Sequence, residues 1–145
     1  MKLKSITAAT LFFLAGAWLA SEANAATLFS RGAKWNYYKG NDHPSGGDLE
    51  WTEPDFDDSD WPSGASPIRY GDGNGGTVLS DMRYSYSTMF FRRTFTAANA
   101  DQVSALDLIV NYDDGFVVWI NGEQVLDVGG SADLSHDSFA SISHE

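Results

Sequence analysis

The chain is 145 residues long, with a formal net charge of −11, 43% hydrophobic and 14% aromatic residues, and no cysteine. Nucleic acid is excluded as a partner, because phosphate contacts need a clustered basic face and the nine Lys and Arg are scattered along the chain. Without cysteine there is no disulfide framework, so one domain's worth of chain must fold on its own core.

Residues 1–25 read as a signal-peptide helix, cleaved on export. Lys2 and Lys4 form a basic start, residues 8–20 are an uncharged run holding Leu11, Phe12, Phe13, Leu14, Trp18 and Leu19, and Ala23 and Ala25 offer the small side chains that precede a signal-peptidase cut. The run falls short of the ~20 apolar residues that cross about 30 Å of hydrocarbon, so no membrane attachment is expected after cleavage. The predicted product, residues 26–145, has 120 residues and a net charge of −12, since Lys2, Lys4 and Glu22 leave with the signal. Its predicted location is secreted or periplasmic.

Beyond the signal, period-two patterning dominates, and the expected fold class is all-β. Candidate strands are 27–29, 35–38, 88–96, 106–112, 116–120 and 124–128, with one helical turn near 97–103. The long segment 40–87 is rich in Gly, Pro, Asp and Ser. A structureless loop of that length is rare in a compact domain, so it is expected to carry short strands and turns anchored by Trp51, Phe56, Trp61, Ile68 and Val78. In 88–96 the alternation places Met89, Phe91, Arg93 and Phe95 on the core face, where Arg93 either snorkels to the sheet edge, the favoured reading, or meets a carboxylate. Leu106, Leu108, Val110 and Tyr112 alternate with Asp107, Ile109 and Asn111, as in a half-buried strand. Asp113-Asp114-Gly115 then turns the chain, with Gly115 suited to a left-handed position, and Asn121-Gly122 signals a two-residue type I′ turn. The expected result is a three-stranded meander. The run 116–120 is apolar throughout, so its buried face is not legible.

No catalytic constellation is visible, and the chain reads as non-enzymatic as it stands. His43, His136 and His144 have no metal-ligand spacing, and the glycine cluster 71–76 is followed by neither lysine nor helix, which makes it a turn and not a phosphate loop. Asp55, Asp57, Asp58 and Asp60 are candidate calcium ligands, since a hard cation takes clustered carboxylate oxygens. Their spacing fails as an EF-hand, and a solvated turn with side-chain-to-backbone hydrogen bonds is the simpler reading. Rings point to carbohydrate, whose C–H faces stack on flat aromatic surfaces, and Trp35, Tyr37, Tyr38, Tyr70, Tyr84, Tyr86 and Trp119 offer them. Tyr84 and Tyr86, flanked by Arg83 in an apparent loop, are the best exposed candidates, with Trp119 as a further one.

Three stretches carry a family resemblance. The first runs from Trp51 through Pro54-Asp55-Phe56-Asp57-Asp58-Ser59-Asp60-Trp61-Pro62-Ser63-Gly64 to Pro67-Ile68-Arg69-Tyr70-Gly71-Asp72-Gly73. The second is Phe90-Phe91-Arg92-Arg93-Thr94-Phe95, and the third is Asp113-Asp114-Gly115-Phe116-Val117-Val118-Trp119-Ile120-Asn121-Gly122-Glu123. In this order they resemble the galactose-binding-like jelly-roll modules of secreted bacterial proteins. The resemblance implies a jelly-roll β-sandwich over residues 26–145, an accessory module that binds a polysaccharide or cell-surface glycan, and in some cases a structural calcium ion. It also implies a downstream catalytic domain as partner in a full-length parent, such as a secreted metallophosphoesterase or a glycoside hydrolase. Relatives continue with further strands where this chain reaches a polar tail, so the module is expected to be truncated at its C-terminal end. A purely structural N-terminal domain of such a hydrolase, or a non-functional fragment of one, is the alternative reading.

Overall fold

The computed structural model describes residues 26–144; the predicted signal segment, residues 1–25, lies outside the described residues. The fold is β-rich and built from small sheets. Strand β1 (Lys34–Lys39) is central in an antiparallel sheet, flanked by β2 (Ser63–Ala65) and β5 (Met89–Arg92). Strands β3 (Ile68–Arg69) and β4 (Thr77–Val78) pair in parallel, and β6 (Phe116–Ile120) and β7 (Glu123–Val128) form a hairpin. The long segment 40–87 does carry the expected short elements, including a 3-10 turn at Glu50–Thr52. A second 3-10 turn, Ala100–Gln102, supplies the helical turn expected near 97–103.

The core is a run of rings that spans elements. Phe90 of β5 meets Trp51 edge-on at 5.2 Å and Tyr38 of β1 at 6.4 Å, and Trp51 meets Trp119 of β6 at 5.3 Å. Trp61 extends the run by packing on Tyr38 at 5.3 Å and on Phe56 at 5.8 Å. Edge-to-face ring pairs are worth about 0.5–1.5 kcal/mol each beyond the area they bury. Trp51, Phe56 and Trp61 are therefore the loop anchors that the sequence predicts. Val78 is not: it is 51% exposed, and its neighbour Leu79, 4% exposed, takes the inward place.

The expected core face of β5 is inverted. Phe90 is 6% exposed whereas Phe91 is 39% exposed, so Phe90 and Arg92 face inward. The cause is Arg92. Its Nε donates to Asp58 Oδ2 at 2.9 Å, one terminal nitrogen donates to the Trp51 and Glu53 carbonyls, and the other donates to the Phe56 carbonyl at 3.4 Å. The guanidinium also lies over the Phe56 ring, 5.2 Å from its centroid. A charge so fully satisfied can occupy the inner face, which hydrophobic patterning alone forbids. Arg93, the expected exception on that face, instead reaches the Lys34 carbonyl and the Phe29 ring.

Two expected strands are not formed. Residues 27–29 are irregular, with Phe29 packed edge-on against Trp35 at 5.3 Å. Residues 106–112 join no ladder, so the expected meander is reduced to its second hairpin. That hairpin closes as predicted: Asn121 and Gly122 have φ of 51° and 81°, both in the left-handed region that a type I′ turn needs. Gly115 is not left-handed; glycine is required there because a side chain would strike the Gly129 carbonyl. Both faces of β6 are half-buried, which resolves the ambiguity of its uniformly apolar sequence.

Replacing Arg92 by alanine removes five contacts of one guanidinium and strands Asp58, and is expected to cost about 2–4 kcal/mol in urea unfolding. Arg92→Lys should recover less than half, since an ammonium cannot reproduce the planar fork.

His43 gives a second prediction. Its Nδ1 accepts from the backbone N–H of Gly47 at 3.1 Å and of Ser45 at 3.4 Å, which only the neutral ring can do. Burial pulls its pKa below the ordinary 6.5, Asp48 and Asp42 oppose that, and His136 adds to it. A depressed folded value means the stabilisation is full above pH 6.5 and is lost as pH falls through the folded value. The melting temperature should therefore drop on acidification below pH 6.5, and His43→Asn, whose oxygen accepts without titrating, should flatten that drop.

Candidate functional site

The candidate glycan residues lie in the connection between β4 and β5. Leu79 buries itself at the end of β4, its carbonyl accepts from Met82 N at 3.2 Å, and the Met82 carbonyl accepts from Ser85 N at 3.0 Å and Tyr86 N at 3.3 Å. Two successive turns thus fold the segment tightly. Within the second, Tyr84 sits at φ 65°, a left-handed conformation that costs a bulky residue about 1 kcal/mol or more and that recurs at ligand sites. The conformation throws the ring outward: Tyr84 is 95% exposed, with the Arg83 guanidinium 5.1 Å from its centroid.

Tyr86 is held differently. Its Oη donates to Asp81 Oδ1 at 3.2 Å, while Asp81 Oδ2 accepts from Lys39 Nζ at 2.6 Å, so the end of β1 fixes the loop. Burial, then the Asp81 charge, then the hydrogen bond push the Tyr86 phenol up to about 12, and the Lys39 hydrogen bond lowers Asp81. Tyr70 arrives from the end of β3, which the parallel pairing Ile68↔Thr77 sets beside β4. Arg69 stiffens that approach, donating to the carbonyls of Gly71 at 2.7 Å, Asp72 at 3.2 Å and Gly75 at 3.2 Å. The glycine cluster is thereby a carbonyl wrap around one arginine.

Tyr70, Met82, Arg83, Tyr84 and Tyr86 together line an open cavity of about 390 Å³. That volume is at the lower end of the ~300–1,000 Å³ that small-molecule sites span. Three rings, a thioether and one cation make a surface for stacking and hydrogen bonding; there is no nucleophile and base in contact among these five side chains. The structure thus brings Arg83, Tyr84 and Tyr86 together. Trp119 is not with them: it is half-buried against Trp51 and belongs to the core run of rings. Tyr70, one of the rings the sequence offers, joins them, and Met82 is the member that sequence reasoning missed, because a thioether in a polar loop carries no distinguishing signal.

The four candidate calcium ligands are not brought together. Asp58 is engaged by Arg92, Asp57 Oδ1 accepts from Ser59 N at 3.0 Å, and Asp55 and Asp60 are exposed. Hydrogen bonds from Ser59 lower Asp57, the signature of the solvated turn. Among the described residues no three His, Asp or Glu side chains converge in a way that would hold a metal ion. The aspartates present do not fit a calcium site, and no role is assigned to one. Among the described residues no helix is long and apolar enough to cross a membrane.

Comparisons with protein-family models, with curated proteins and with solved structures give no match. Function therefore rests on the site itself.

The raised Tyr86 value fixes a pH window. Folding favours the protonated phenol, so the associated stability is full below pH 10.0 and is lost as pH rises through about 12. In a tyrosinate absorbance titration, Tyr86→Phe should remove a step near pH 12.

Proposed function

We propose that this chain is an exported, non-catalytic accessory module of jelly-roll type that binds carbohydrate through Tyr70, Arg83, Tyr84 and Tyr86. The observation that carries the reading is Tyr84, held at a left-handed φ of 65° with its ring 95% exposed at the rim of a cavity. A tyrosine placed only for packing has no reason to accept that backbone cost for no burial. The fixed Tyr86 below it and the stacked Arg83 beside it supply the hydroxyl-pairing groups that accompany ring stacking on a sugar. The segment 1–25 supports export to a secreted or periplasmic location, and the three ordered motifs support the jelly-roll assignment and a partner catalytic domain in a longer parent. The ligand of this reading is a polysaccharide or cell-surface glycan.

Affinity electrophoresis tests it, with gels containing galactan, xylan, β-glucan or polygalacturonate. Retardation is expected on at least one, and Tyr84→Ala should weaken it by about 5- to 30-fold, the 1–2 kcal/mol of a stacking ring. Asp55→Asn, outside the cavity lining, should leave it unchanged. No retardation on any polymer would leave a purely structural module as the reading.

A further inference from the structure

Arg83 is the cation of the cavity lining, and the fold leaves its donors unused. Arg69 and Arg92 each donate to several backbone carbonyls, Arg92 also to Asp58, and Arg93 donates to the Lys34 carbonyl. Arg83 makes no hydrogen bond or ion pair among the described residues, and its guanidinium lies 5.1 Å from the Tyr84 ring centroid. The carboxylate nearest to it in sequence is already engaged: Asp81 Oδ2 accepts from Lys39 Nζ at 2.6 Å, and Oδ1 accepts from Tyr86 Oη at 3.2 Å. No Asp or Glu stands among the residues that line the cavity. A positive charge without a counter-charge therefore borders an open space that three aromatic rings also border.

A guanidinium offers five N–H donors and no acceptor, in a planar fork that matches the paired oxygens of a carboxylate or a sulfate. The rings direct an anion to the same place. An aromatic face is negative, so it attracts the C–H groups of a sugar and repels an anionic oxygen. A sugar stacked on a tyrosine here would carry any acidic substituent past the rim of the ring, where Arg83 is the cation it meets. From this we infer that the cavity takes acidic sugar units, with Arg83 pairing the anionic group that a neutral glycan lacks. This inference rests on the glycan reading and narrows it to a ligand class.

The net charge of −11 makes such a preference diagnostic. At long range the chain repels a polyanion, so its overall field cannot produce tighter binding of a charged polymer than of a neutral one. In about 0.15 M salt the Debye length is about 8 Å, which screens the remote carboxylates and spares a pair in contact.

Affinity electrophoresis at that ionic strength tests the inference with matched polymers: polygalacturonate against its fully methyl-esterified form, and a sulfated galactan against the neutral galactan. The first pair differs only in the carboxylate and the second only in the sulfate, so the two arms tell these anions apart. In at least one pair the charged member should bind about 3- to 30-fold more tightly. Arg83→Gln should bring that ratio to about one, and Arg83→Lys should keep part of it, since the charge remains and the fork does not. A merely structural role for Arg83 would lower both members of a pair alike and leave the ratio in place. Far-ultraviolet circular dichroism checks that each variant keeps the fold of the parent. Equal binding of charged and neutral polymers, weakened alike by Tyr84→Ala, would overturn the inference and leave the glycan reading standing. A preference that survives Arg83→Gln would overturn it too, and no retardation on any polymer would overturn both.

Discussion

One guanidinium holds this structure together. Arg92 sits at the end of β5 and reaches into the loop that follows the Glu50–Thr52 turn, where it bonds Asp58 and the carbonyls of Trp51, Glu53 and Phe56. The Trp51 and Phe56 carbonyls are part-buried in a segment with little regular structure, and left without donors each would cost about 1–3 kcal/mol. Arg92 answers several of them at once with a single planar fork. Because the segment is fixed, Trp51 is held between Phe90 on one side and Trp119 on the other. The hairpin β6–β7 is joined to the main sheet through that ring and through Gly122 N, which donates to the Thr52 carbonyl at 3.1 Å. A polar clamp thus positions the apolar core, which reverses the usual order of cause.

The same clamp marks the limit of what the sequence discloses. Period-two reasoning places Phe91 inward and Arg92 outward, whereas the structure turns Arg92 inward. The satisfaction that makes it affordable comes from residues some forty positions away, which no local pattern contains. Signals confined to a few residues survived well: Asn121-Gly122 closes its hairpin by backbone preference alone, and Trp51, Phe56 and Trp61 anchor their loop by ring size. Residues 106–112 have the pattern of a strand yet no ladder, because alternation specifies which side chains share a face and says nothing about which edge supplies the hydrogen bonds. In the aspartate cluster, proximity in sequence was legible, whereas the engagement of one Asp58 oxygen by Arg92 and one Asp57 oxygen by Ser59 was not.

At the candidate glycan site the division falls differently. Arg83, Tyr84 and Tyr86 were legible as aromatic and basic residues with no periodicity to bury them. Tyr70 was legible as a ring too, but its place beside the others comes from the parallel pairing of two two-residue strands, an arrangement too short to leave a pattern. Rigidity at this site is borrowed: Lys39 from β1 fixes Asp81, Asp81 fixes Tyr86, and the Arg69 carbonyl wrap fixes the approach of Tyr70. Lost rotamer freedom is a principal cost of binding, and side chains already held in place have little left to lose. Tyr84 lacks such support beyond its own backbone and Arg83. The site therefore combines a fixed floor with one adjustable ring. Three tyrosines around an open cavity offer ring faces and hydroxyls, and a ligand that stacks on them need not supply backbone groups.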